Sequence, residues 1–247
     1  MVPIAILDVA LCVAHRRWRP YAYAYSTNAH EAGSVWPAYF PCAGFAFTTV
    51  RWFQLHCACN WLVVAAAGPE FWSTLTAAYP WEYAQGPSSN THALYFATAL
   101  HVYHTLWWTL KPVDVLHHAT SAFLCAPLML CLNTRLLAWH LVIGTGLPGG
   151  IDYALLTMVK YEVLDAVFEK RVNAWLNSYV RAPFGATGSF LTVGVARQAF
   201  RDGAPAKGVA GLVVACVTFW NVTYFAKRAV ESYAAYRAIH RDELHGR

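Results

Sequence analysis

The chain has 247 residues, of which 57% are hydrophobic, 15% aromatic and only 13% charged. Soluble domains carry about 25% charge, so this composition, with a mean hydropathy of +0.34, excludes an ordinary water-soluble globule and predicts an all-α, polytopic membrane helical bundle. The formal net charge of +5 gathers beside the apolar runs, at Arg16, Arg17 and Arg19, at Lys170 and Arg171, and from Lys227 onward. That pattern suits ends held at anionic headgroups and gives no nucleic-acid footprint.

Residues 1–39 read as an N-terminal segment with a basic, aromatic interfacial stretch. Met1 to Val13 is apolar but lacks a basic n-region and a small-x-small cleavage site, so it reads as a short buried helix or part of a span, not a cleaved signal. The transmembrane domain is expected over 40–230, followed by a basic cytosolic tail over 231–247. Its first span, about 42–67, carries Arg51 and His56 near its middle and should stop at Gly68-Pro69. The loop that follows, 68–90, contains Glu70 and Glu82 but no Lys or Arg, which places it on the lumenal side and the termini in the cytosol.

Spans at about 91–110 and 113–132 flank a basic turn at Lys111-Pro112, so His117 and His118 lie about one turn inside the membrane. From Arg135 to Gly150 an apolar run is interrupted by Gly144, Gly146, Pro148, Gly149 and Gly150, which predicts a broken or re-entrant helix continuing into 151–168. Asn173, Asn177 and Arg181, four apart, form an amphipathic stripe whose expected setting is a solvated or interfacial face. Spans at 184–200 and 209–226 complete a count of about six transmembrane helices. The seven cysteines show no zinc spacing and read as small buried apolar residues. Asn221-Val222-Thr223 matches a glycosylation sequon but lies inside an apolar run and should be unmodified.

The chemistry is concentrated between Arg51 and Asp152. Ionisable groups in a span cost about 2.5–3.5 kcal/mol each on insertion scales, which makes such a cluster a functional candidate. His101 and His104 share a helical face with Thr105, while Asp114 precedes His118 by four residues, a spacing that predicts a hydrogen-bonded pair. His117 and His118 project about 100° apart, so one could face a cavity while the other anchors to a neighbour. An imidazole oriented by Asp114 could take a proton from an amine or accept an acyl group. His117 and His118 could instead make interhelical hydrogen bonds, while His101 and His104 could line the same cavity, ligate a metal or haem, or bridge helices. No spacing for a metal site is evident. For Arg51 and Asp152, a mutual salt bridge is the expected use.

Three stretches, Arg51 with Leu55-His56, Tyr95-Phe96 through Tyr103-His104, and Leu116-His117-His118 with Thr120-Ser121, together resemble the TLC-domain family of membrane proteins, which includes the ceramide synthases. The double histidine is the most specific of them. His104 stands where an aspartate is common, and Asp152 with Leu155 and Lys160 is similar to only part of the longer ceramide-synthase motif. The resemblance implies a helical bundle of the endoplasmic reticulum or a related membrane that acts on or senses lipids. Its enzymatic form would be acyl-CoA-dependent N-acylation of a sphingoid-type amine. His117 or His118 would then be base or acyl acceptor, Asp114 its orienter, and Arg51 would lie near the anionic part of the donor. His56, His101, His104 and Asp152 would line the substrate cavity, with acyl-CoA as co-substrate and no resident metal or cofactor. The alternative is a non-catalytic lipid-binding protein, or an accessory subunit of an oligomer or membrane complex, in which the same residues hold helices together.

Overall fold

The structure, a computed structural model, describes residues 49–89, 91–107 and 110–239. The N-terminal segment and the end of the basic tail therefore lie outside the described residues. Among those described the chain is all-helical, without strands: α1 Thr49–Thr76, α2 Pro80–Gln85, α3 His92–Trp107, α4 Pro112–Leu132, α5 Leu136–Lys160, α6 over 166–201 and α7 Pro205–Ile239. Three of these, α4, α5 and α7, are long and apolar enough to cross a membrane.

Side-chain contacts fix how the helices run. Gln54, early in α1, donates to the Tyr161 hydroxyl just past α5 at 3.0 Å, and Glu70, late in α1, lies 4.0 Å from Arg135 just before α5. The two helices are therefore antiparallel. Glu70 also accepts from the Ser88 hydroxyl at 2.8 Å and the Ser89 amide at 3.1 Å, while Arg135 donates to the Tyr83 carbonyl at 2.9 Å. This knot ties the end of α1, the α2 region and the α4–α5 turn together, and its charge is spread over several partners.

The knot explains the first departure from expectation. The helix α1 does not stop at Gly68-Pro69 but runs through Pro69 to Thr76. Proline removes one backbone donor. The turn beyond it is held by tertiary contacts of Glu70, so a local signal for termination is overridden. The expected 68–90 loop is correspondingly shorter.

Nor is α5 broken or re-entrant. It is one helix through its glycines, because those glycines are a contact surface. A Cβ at Gly146 would lie 3.0 Å from Val64, one at Gly149 2.5 Å from the Asn60 amide nitrogen and one at Gly150 3.1 Å from Trp61. Without side chains there, α5 lies directly on α1, the small-residue packing that helices in lipid favour. The hairpin of α6 and α7 uses the same device, with Gly185 against Val222 and Gly211 against Ala196. Val63, Ala67, Leu132, Leu136, Leu137 and Trp139 fill the core between α1, α4 and α5.

Three stretches depart from regular α geometry. Ala119–Cys125 in α4, Val142–Gly146 in α5 and Asn177–Arg181 in α6 are π-helical, with wide turns closed by i→i+5 hydrogen bonds. All three border the same interior space.

Candidate functional site

Five histidines from three helices converge in the bundle: His56 of α1, His101 and His104 of α3, and His117 and His118 of α4. His56 and His104 stack with ring centres 4.2 Å apart, sandwiched between Trp52, 4.0 Å from His104, and Tyr153, 4.3 Å from His56. On the other side, His101 Nε2 and His117 Nε2 are 3.2 Å apart.

The surrounding acceptors assign the protons. His101 Nδ1 lies 2.6 Å from the Ala97 carbonyl, which can only accept, so that nitrogen carries the hydrogen and Nε2 offers a lone pair. His117 must then donate through Nε2, leaving its Nδ1 to accept from the Ser121 hydroxyl at 3.3 Å. The result is a directed chain from Ser121 through His117 and His101 to a backbone carbonyl. A second assignment follows for His118. Thr105 Oγ1 lies 2.8 Å from the His101 carbonyl, its i−4 acceptor, and with its single hydrogen directed there its oxygen accepts from His118 Nδ1 at 3.0 Å. In that arrangement His118 carries its hydrogen on Nδ1 and presents an unprotonated Nε2.

A polar cavity of about 380 Å³ is lined by His56, His101, His117 and His118, together with Asp114 and Asp152. Opposite them stand Asn173, Asn177 and Arg181 of α6. An apolar slot of about 110 Å³, walled by Leu94, Met129, Val214 and Val217, meets the chamber at His101, His117, Thr145 and Arg181. Each wide turn contributes to these walls, Ser121 from α4, Thr145 from α5 and Asn177 with Arg181 from α6. Such turns re-aim side chains at functional sites.

Two expected pairs are not made. Asp114 does not bond His118: its carboxylate accepts from the Lys111 amide at 3.1 Å, as the third residue of a helix opened by Pro112. The open backbone donors at a helix start compete for a nearby carboxylate and win over the i,i+4 imidazole. Nor does Asp152 bond Arg51. It faces Glu169, Lys170 and Arg181 on α6, and Arg51, buried on α1, is not among the residues lining either cavity.

The α6 stripe is the main surprise. Asn177 is buried, and the stripe turns toward the chamber, where periodicity alone suggests a solvated face. Asn60, which accepts from Thr145 at 3.1 Å, Tyr153 and Asn221 also belong to the lining, and sequence reasoning does not pick them out as site residues. One signal is visible for Asn221, a polar amide in the middle of an apolar run. Among the described residues no group of three or more His, Cys, Asp or Glu has metal-site geometry. His101 and His117 are in direct contact. Compared with known families, with curated proteins and with solved structures, the chain matches none.

Proposed function

We propose that the protein is a multi-pass membrane protein of about six spans that binds a lipid in the histidine-lined cavity and acts on it by acyl transfer, His118 Nε2 serving as base or acyl acceptor. The observation that carries this reading is the contact of Thr105 with His118 Nδ1 in a chamber that opens into an apolar slot, a contact that, with the Thr105 hydrogen on the His101 carbonyl, leaves the lone pair on His118 Nε2. Thr105 takes the orienting role that spacing suggested for Asp114. The membrane setting is supported by large apolar side chains on the bundle exterior, including Trp72, Phe123, Phe190 and Phe219, which lipid would solvate. The double histidine resembles that of the TLC-domain family, which makes an acyl-CoA and a sphingoid-type amine the first substrates to try, and the endoplasmic reticulum the expected membrane, with cytosolic termini.

The competing reading is a non-catalytic lipid binder or accessory subunit. The His101–His117 contact favours it, since a direct interhelical hydrogen bond is what a purely structural pair would make. Purified protein in lipid vesicles, given palmitoyl-CoA and sphinganine, separates the two. Transfer that falls at least about 10²-fold in His118→Ala supports the enzyme. Thr105→Val, which removes the acceptor for His118 Nδ1, should lower the rate with little effect on substrate KM. Wild-type protein that copurifies with lipid but transfers nothing from any acyl-CoA to any sphingoid amine would establish the binder.

A further inference from the structure

Arg181 occupies an unusual position. It sits in the wide turn of α6 and lines both cavities, with the polar chamber on one side and the apolar slot on the other. Its direct contacts are to neutral groups: Nη1 donates to the side-chain Oδ1 of Asn177 and Nη2 to that of Asn221, both at a long 3.4 Å, and the Phe225 ring has its centre 5.4 Å away. Its Nε has no hydrogen-bond partner. Asp152 of α5 faces it across the chamber but, like every other carboxylate among the described residues, lies beyond ion-pair distance, and Glu169, the acid on its own helix, is engaged 2.9 Å from Lys170. Buried charges in proteins are as a rule paired, and amide dipoles replace a counter-charge only in part. A guanidinium with donors to spare is shaped to take two oxygens of a carboxylate or phosphate in parallel.

We infer that Arg181 docks the anionic head, a carboxylate or phosphate, of a single-chain amphiphile whose chain enters the apolar slot. The geometry gives such a ligand one orientation. The slot is walled by Leu94, Met129, Val214 and Val217 and takes the chain next to the head, while His101 and His117 stand where both cavities meet and flank the head group. This rests on the reading of the cavity as a lipid site and adds the charge that the lipid carries.

The probe is 9,10-dibromostearate, whose bromines quench tryptophan fluorescence, compared with its methyl ester on the full chain in detergent. The wild type should bind the acid about tenfold or more tightly than the ester, the scale of a charge-assisted hydrogen bond. Arg181→Gln should bring the acid down to the level of the ester and leave the ester unchanged, while Arg181→Lys should keep part of the preference. Val217→Phe, which fills the slot, should weaken acid and ester alike, and keeps the inference testable if Arg181→Gln does not fold. A brominated lysophosphatidate arm identifies the head group: tighter binding than the acid assigns a phosphate, weaker a carboxylate. Equal binding of acid and ester by the wild type would overturn the inference, as would displacement of the acid by millimolar inorganic phosphate, which would mark a site for a free anion. Acyl transfer that persists in Arg181→Gln without acid selectivity in the wild type would remove this inference and leave the proposed activity standing. Selective acid binding without transfer would do the reverse.

Discussion

Two glycines five residues apart in α5 should respond to the same substitution with opposite signs. At Gly144 nothing lies within 4 Å of an added Cβ, whereas at Gly149 the Cβ would sit 2.5 Å from the Asn60 amide nitrogen and 3.3 Å from its Cγ. Asn60 is 3% exposed and accepts the Thr145 hydroxyl at 3.1 Å, so it cannot swing aside without losing that bond. Gly149→Ala therefore carries an overpacking cost of about 1–3 kcal/mol. The lost hydrogen bond adds about 0.5–1.5 kcal/mol, and about 0.5–1 kcal/mol is regained from replacing glycine in a helix. The net is a loss of about 2 kcal/mol, or roughly 4–8 °C in Tm for a chain of this size. Gly144→Ala should keep only the helix gain and raise Tm by roughly 1–4 °C. Thermal unfolding in detergent, followed by tryptophan fluorescence, measures both. In the double variant Asn60→Ala/Gly149→Ala the clash is gone, so its destabilisation should fall short of the sum of the single effects by about 1 kcal/mol or more. A Gly149→Ala variant as stable as wild type, or strict additivity with Asn60→Ala, would refute the close approach of α5 to α1.

Asp114→Asn should retain the helix cap and leave the chemistry of His118 intact, while Asp114→Leu should cost about 0.5–2 kcal/mol of thermal stability by freeing the Lys111 amide; a large, selective loss of activity in Asp114→Asn would restore the carboxylate as orienter. Glu70→Ala should destabilise by about 1.5–3 kcal/mol in the same unfolding assay, because it removes the acceptor shared by Ser88 and Ser89, and Glu70→Gln should cost less. In a cysteine-free background within sealed vesicles, Ala78→Cys and Ser232→Cys should be labelled by a membrane-impermeant maleimide from opposite sides. Labelling from one side would rule out the alternating six-span arrangement.

The apolar runs and the close grouping of His101, His104, His117 and His118 were legible in the sequence because each depends on local spacing, and a hairpin between α3 and α4 was enough to bring them face to face. What could not be read was direction. A polar stripe such as Asn173, Asn177 and Arg181 has the same period whether it faces water or an internal chamber, and only the packing of α6 against α7 and α5 decides. The glycines of α5 misled for a related reason. Their low helix propensity argues for a break, but propensity is a small quantity beside the van der Waals attraction between two helix backbones that pack directly on each other. At Asp114 two short-range rules competed, the i,i+4 pair and the helix cap, and spacing alone does not rank them.

The wide turn at Val142–Gly146 sets the phase of α5. Residues eleven apart complete about three turns of a regular helix, so Trp139 and Gly150 would look the same way. Instead Trp139 bonds the Phe184 carbonyl at 2.8 Å and packs beside Gly188 on α6, as its neighbour His140 bonds Thr192 at 2.9 Å, while Gly149 and Gly150 lie on Asn60 and Trp61 of α1. One helix thus serves as a seam between two neighbours, its first half bonded to α6 while the Trp139 ring also meets Phe71 of α1, and its second half laid on α1. Deleting a single residue within the turn would rotate one half against the other by about 100°. Either His140 would lose Thr192 or Gly149 would no longer meet Asn60, and the chamber would lose a wall from whichever side gave way.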